Sequence, residues 1–122
     1  MVADYTYALK KLHSLTEIHV PYAIATNMPF VTCDQETFND QIWIFTSMDE
    51  VRAFAARYEQ EKILFKGVSI TKESFQLFYM DLHAMGINEV VFFDGTTEHK
   101  LPLNKIVNLP NFAELPLNNV RC

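Results

Sequence analysis

Residues 41–61 read Gln-Ile-Trp-Ile-Phe-Thr-Ser-Met-Asp-Glu-Val-Arg-Ala-Phe-Ala-Ala-Arg-Tyr-Glu-Gln-Glu. Ile42, Trp43, Ile44 and Phe45 are apolar at every position, so both faces of this strand need cover. That places it inside a sheet and not at an edge. Ser47 ends the strand and opens a helix. Its hydroxyl can accept free amides of the first turn, and Glu50, three residues on, completes a capping box. Val51, Phe54, Ala55 and Tyr58 then repeat at i, i+3, i+4, i+7 as one apolar stripe.

The rest of the chain supplies partners for this unit. Tyr5, Ala8, Leu9 and Leu12 share the same period and predict a helix over 4–16 with Asp4 as its cap. Residues 19–25 read as a strand in which Pro21 belongs at the start or on an edge, because it cannot donate to a ladder. Residues 28–33 give a second short strand and 34–40 a polar loop. Strands are expected at 62–68 and 89–93, with a helix between them from about 72 to 85, capped by Thr71 and closed by Gly86 beside Ile87. Phe75, Phe78, Tyr79 and Leu82 form that helix's stripe. Leu77, Met80 and Met85 widen it, which suggests burial on more than one side. Asp94-Gly95 turns the chain into a hairpin arm at 98–101, and residues 103–108 have room for one helical turn.

These elements predict a single α/β domain over 1–108. It has a mixed sheet of about five strands and two or three packed helices, with strands 41–46, 63–68 and 88–93 at the sheet centre. Parallel pairing of those three is one topology, and an α+β layout with antiparallel pairing is the competing one. Residues 109–122 carry Leu109, Phe112, Leu115, Leu117 and Val120 without a period, between Pro110 and Pro116. They are expected to form an extended tail packed on the domain or on a partner, including a second copy.

Composition excludes several functions. Lys and Arg total 10 against 15 Asp and Glu, a net charge of −5 without any basic run. Neutralising phosphates needs clustered cations, so nucleic acid and anionic membrane surfaces are not expected partners. No apolar run approaches the ~20 residues that span a bilayer. No signal peptide is visible, and two distant cysteines make no disulfide framework, so a cytoplasmic setting is expected.

The run Ile-Phe-Thr-Ser-Met-Asp-Glu-Val at 44–51 resembles the strand-to-helix corner of the SseB N-terminal domain family, also called the enhanced serine sensitivity family. The order of elements from about 20 to 108 is similar too, including the closing hairpin Val91-Phe92-Phe93-Asp94-Gly95 to Lys100-Leu101-Pro102. The resemblance implies a bacterial, mostly cytoplasmic α/β protein. It carries over neither catalytic residues nor a cofactor.

Candidate chemistry is sparse. Thr46 and Ser47 stand where a strand's carboxyl end meets a helix N-terminus, a corner that can bind an anion. The plainer reading makes Ser47 only a cap. Gly67, Gly86 and Gly95 share no loop, so no phosphate cradle is present. Cys33 lies beside Asp34 and Glu36, whose charge opposes thiolate formation, so it reads as structural. His13, His19, His83 and His99 lack metal-ligand spacing, and Tyr5, Tyr7 and Tyr22 lack interleaved cations for base stacking. Two readings follow: a non-catalytic interaction module that binds a protein partner or self-associates, and a small-anion or metabolite binder or enzyme using the corner at Thr46 and Ser47. No metal and no cofactor is expected.

Overall fold

Ile42, Ile44 and Phe45 are buried and Trp43 is half-buried, so the doubly apolar run lies inside the protein as its composition requires. The computed structural model describes residues 4–107. Its elements in chain order are α1 (Thr6–Ser14), β1 (Glu17–Ala23), β2 (Met28–Pro29), β3 (Thr32–Cys33), β4 (Asp40–Ile44) and α2 (Met48–Ala56). There follow a 3-10 turn (Glu59–Glu61), β5 (Phe65–Thr71), a second 3-10 turn (Lys72–Ser74), α3 (Phe75–Ala84), β6 (Glu89–Phe93), β7 (Glu98–Pro102) and α4 (Leu103–Ile106). The expected tail at 109–122 lies outside the described residues.

The architecture is α+β in one domain. One sheet runs β2-β1-β5 and the other β3-β4-β6-β7. Only β4 and β6 pair in parallel; every other pair is antiparallel. Among the described residues a single bridge joins the sheets. His19 N donates to Phe45 O at 3.0 Å and Phe45 N to His19 O at 2.8 Å.

Neighbouring residues explain why this pairing stops after one residue pair. Hydrogen-bonded pairs in an antiparallel ladder recur every second residue. The next pairs would be Pro21 with Trp43 and Glu17 with Ser47. Pro21 has no N–H to donate, and its carbonyl instead accepts from Phe30 N at 2.9 Å. On the other side Ser47 has already turned into α2. The proline therefore sits mid-strand, facing a gap, where sequence reasoning put it at a start or an edge.

The period-two alternation of β4 divides the interior. Ile42 and Ile44 join the larger core with Leu12 of α1, Ile18 and Val20 of β1, and Phe78 and Leu82 of α3. Trp43 and Phe45 face a smaller cluster under α2, centred on Phe54. Phe54 is 1% exposed, and the rings of Phe30, Trp43, Phe45, Tyr58 and Phe65 stand 4.9–6.2 Å from its own. The Arg57 guanidinium lies 5.4 Å from that ring centroid and 3.6 Å from Glu98 of β7, closing the cluster's rim.

Three expectations are corrected. The strand expected at 63–68 begins at Phe65 and runs to Thr71, at the end of its sheet and antiparallel to β1. Lys62 adopts a left-handed conformation (φ 59°) that closes the preceding turn, and this leaves Leu64 in the connection, 69% exposed. Thr71 provides no side-chain cap; α3 is instead led in by the 3-10 turn. The broad apolar surface of α3 is covered on one side only among the described residues, with Leu77 63% exposed.

The helix end is as expected. Gly86 has φ 88°, Ile87 N donates to Leu82 O and Gly86 N to His83 O, the paired bonds of a Schellman cap. Deleting the centre of the aromatic cluster is the sharpest test of this packing. Phe54→Ala should cost about 3–5 kcal/mol of unfolding free energy in a denaturant titration.

Candidate functional site

The corner at Thr46 and Ser47 is built as a capping box shifted by one residue. Ser47 Oγ accepts from Glu50 N at 3.3 Å. The Glu50 carboxylate reaches back one residue beyond the cap and takes both donors of Thr46, N at 2.9 Å and Oγ1 at 2.8 Å, on the same Oε1. An anion entering the corner would compete with this built-in carboxylate for the Thr46 donors. The geometry supports the cap and weighs against a free anion site at Thr46.

Because Phe45 is bridged to His19, the corner adjoins a second set of polar side chains. Ser69 Oγ lies 2.9 Å from His19 Nδ1, and His19 Nε2 lies 3.0 Å from Glu17 Oε2. A carboxylate only accepts, so Nε2 carries the proton and a neutral ring accepts the Ser69 hydroxyl at Nδ1. The ladder explains the contact: His19 and Ser69 are directly opposed on β1 and β5 in a non-hydrogen-bonded pair, where side chains approach most closely. The order hydroxyl, imidazole, carboxylate is that of an activated serine. Sequence reasoning missed it, because residues 50 positions apart carry no spacing signal and meet only through strand register.

A third cluster crosses the four-stranded sheet. Asp34, Gln41 and Glu89 are all buried. Gln41 Nε2 donates to Glu89 Oε1 at 2.6 Å and to Asp34 Oδ2 at 3.4 Å, while Lys100 Nζ donates to Asp34 Oδ2 at 2.7 Å. Gln41 Oε1 accepts from Thr32 Oγ1, which accepts in turn from Trp43 Nε1 at 2.9 Å. The Lys100 ammonium, then the amides of Glu36 and Thr37, hold the Asp34 carboxyl down at about 2. Asp34 in turn raises Lys100 above its ordinary value. Cys33 is exposed at the edge of this cluster, and its thiol points to the Asp34 carbonyl at 3.7 Å.

At the hairpin, Asp94 accepts from Thr96 N, Thr97 N and His99 Nε2, and these bonds hold its carboxyl well below the usual range, His99 first. The ring of Tyr7 stands 5.8 Å from His99. Among the described residues no group of three His, Cys, Asp or Glu side chains converges as a metal site.

Among the described residues, clefts open at three places on the surface. One of about 410 Å³ lies between α3 and the β1–β2 turn, and one of about 300 Å³ between α1 and β7. The third, about 360 Å³, lies between α2 and β5 and is lined by Met48, Val51, Arg52, Ala55, Phe65 and Gly67. The Met48 thioether packs over Gly67, so a Cβ there would displace the end of the Met48 side chain. Ser69, His19 and Glu17 line none of the three.

No helix of the described residues is long and apolar enough to cross a membrane. No family model, curated protein or solved structure matches the chain.

Two measurements check these assignments. Ser47→Ala should lower unfolding free energy by about 1 kcal/mol, and a value near zero would mean that Glu50 alone holds the corner. For Asp34 the folded carboxyl titrates below its unfolded value of 3.8. Its contribution is therefore fully present above about pH 4 and lost as pH falls toward 2. Asp34→Asn should flatten the acid limb of the stability–pH curve in that window and leave the neutral region parallel to the parent.

Proposed function

We propose that the chain is a non-catalytic protein-interaction module, SseB-like, bacterial and cytoplasmic, and that it works through the outer edge of β5 and the cleft beside it. The open edge carries this reading. The ladder to β1 uses the even-numbered residues: Lys72 N donates to Thr16 O, and Ile24 N to Leu64 O. The odd-numbered residues Phe65, Gly67, Ser69 and Thr71 therefore turn their N–H and C=O groups outward. Apart from the Thr71 carbonyl, which accepts the first bond of the 3-10 turn at Lys72–Ser74, none of these groups has a backbone partner among the described residues. Such a row accepts an added strand, and the adjoining cleft takes its alternate side chains.

The polar clusters support the same reading, because their donors and acceptors are spent on one another. One observation favours an enzyme as a second reading: the Ser69–His19–Glu17 order. It lacks a lining cavity among the three clefts, and the Thr46 donors beside it, the nearest stand-in for an oxyanion hole, already serve Glu50. A fluorophosphonate probe separates the readings. The interaction module leaves Ser69 unlabelled, whereas labelling lost in Ser69→Ala would establish an activated serine.

The edge itself is tested with a phage-displayed library of extended peptides. The parent and Ser69→Ala should enrich a common peptide motif. Ser69→Pro, which removes one outward donor, should lose it. Equal enrichment by all three would sink the proposal.

A further inference from the structure

We infer that the cleft between α3 and the β1–β2 turn is a binding site for a small organic ammonium ion carrying an apolar body. None of its lining residues belongs to β5, so the inference does not rest on the interaction reading above.

Charge is the first reason. Asp81 is the one charged residue in the lining. Among the described residues it forms no ion pair. It stands in the last turn of α3, where the basic residue is His83. The C-terminal end of a helix carries partial negative charge, so that turn favours cations, and an acid there opposes the helix's own field. A cation in the cleft would meet the carboxylate and the helix end together.

The remaining walls suit the same ligand. Tyr22 and Phe78 bring aromatic rings to the lining, groups that take up ammonium ions by cation–π contact. Burial, then the Asp81 carboxylate, raises the Tyr22 hydroxyl above its ordinary value, so the phenol and the acid lie within each other's field. Met28 and Met85 are 43% and 37% exposed in the lining, and such thioethers adapt to a bound hydrocarbon. Lys66 reaches the neighbouring Asn27, whose side-chain carbonyl accepts from its ammonium. That lysine is therefore held on the turn and not on Asp81. At about 410 Å³ the cleft falls within the ~300–1,000 Å³ of small-molecule sites. That volume suits a ring-sized body with a short ammonium arm, a free molecule and not an extended chain.

Three probes of one shape test the site: phenethylammonium, phenethyl alcohol and phenylacetate, which are positive, neutral and negative. Each is titrated into the isotopically labelled full chain and followed by NMR. Phenethylammonium should shift the signals of Asn27, Met28, Asp81 and Met85 saturably. It should bind about tenfold more tightly than the alcohol, the margin of one exposed ion pair with cation–π contact. Phenylacetate should bind least. Rising salt should weaken the ammonium ion and leave the alcohol unchanged. Asp81→Asn should remove most of the margin without lowering the melting temperature, since it takes an acid out of the last turn of α3.

No saturable shift with phenethylammonium, equal affinity for the ammonium ion and the alcohol, or a margin that Asp81→Asn leaves intact overturns the site. A lower melting temperature in Asp81→Asn would make the carboxylate a structural group and overturn it as well. The acetylated methylamide of lysine presents the same ammonium group on a peptide chain. Weaker binding of this probe than of phenethylammonium supports a free ligand, and tighter binding overturns that assignment.

Discussion

Two hydrogen bonds between His19 and Phe45 hold the two sheets of this protein together. The bridge is short because of what flanks it: a proline with no donor on one side and a helix cap on the other. Its effects spread in both directions along the chain. On β1 it fixes which residues face β5, and so brings His19 against Ser69. On β4 it fixes the point at which the chain leaves the sheet, and so the position of Ser47 and the start of α2. Moving β4 by one residue would turn Ile42 and Ile44 out of the main core, and moving β1 by one would do the same to Ile18 and Val20. The hydrophobic pattern and the bridge therefore specify the same register.

Polar groups inside the fold follow a similar logic. Asp34 and Glu89 are buried carboxylates that share Gln41 as a common donor, and Lys100 adds a cation at Asp34. A buried carboxylate left without partners would cost far more than the net value of any one of these bonds. The cluster therefore binds β4, β6 and β7 to the loop after β3 as one unit. Glu50 does the same at the corner. Within each cluster the buried donors and acceptors are spent on one another.

Much of this was legible in the sequence, in the places where local chemistry and burial agree. The doubly apolar run at 42–45, the Ser47 cap with Glu50, and the Gly86–Ile87 helix end all follow from short-range rules. The start of β5 was not legible. Ile63-Leu64-Phe65 looks like the opening of a buried strand, but the left-handed turn at Lys62 delays it by two residues, and the strand that follows is only half covered. The Ser69–His19–Glu17 contact was hidden for a different reason: it exists only once β1 and β5 are paired in one register, and no local pattern records that pairing. Thr46 was singled out as a potential ligand donor, yet its donors face a carboxylate four residues along the same chain. A capping-box motif contains that possibility, since its acid always reaches back toward the residues before the helix.

The two longer edge strands, β7 and β5, differ in a way that bears on association. β7 reads Glu-His-Lys-Leu-Pro, with three polar or charged residues and a proline, and α1 lies beside it with Tyr7 against His99. These are the devices by which sheets prevent unwanted pairing. β5 reads Phe-Lys-Gly-Val-Ser-Ile-Thr and carries one lysine, with α2 packed on its face and not along its edge. An edge that no described element pairs with exposes the chain to indiscriminate association unless something occupies it. Gly67 sharpens the point. Met48 of α2 packs over it, so the small residue that lets α2 approach the strand also adds no side chain at the middle of the edge.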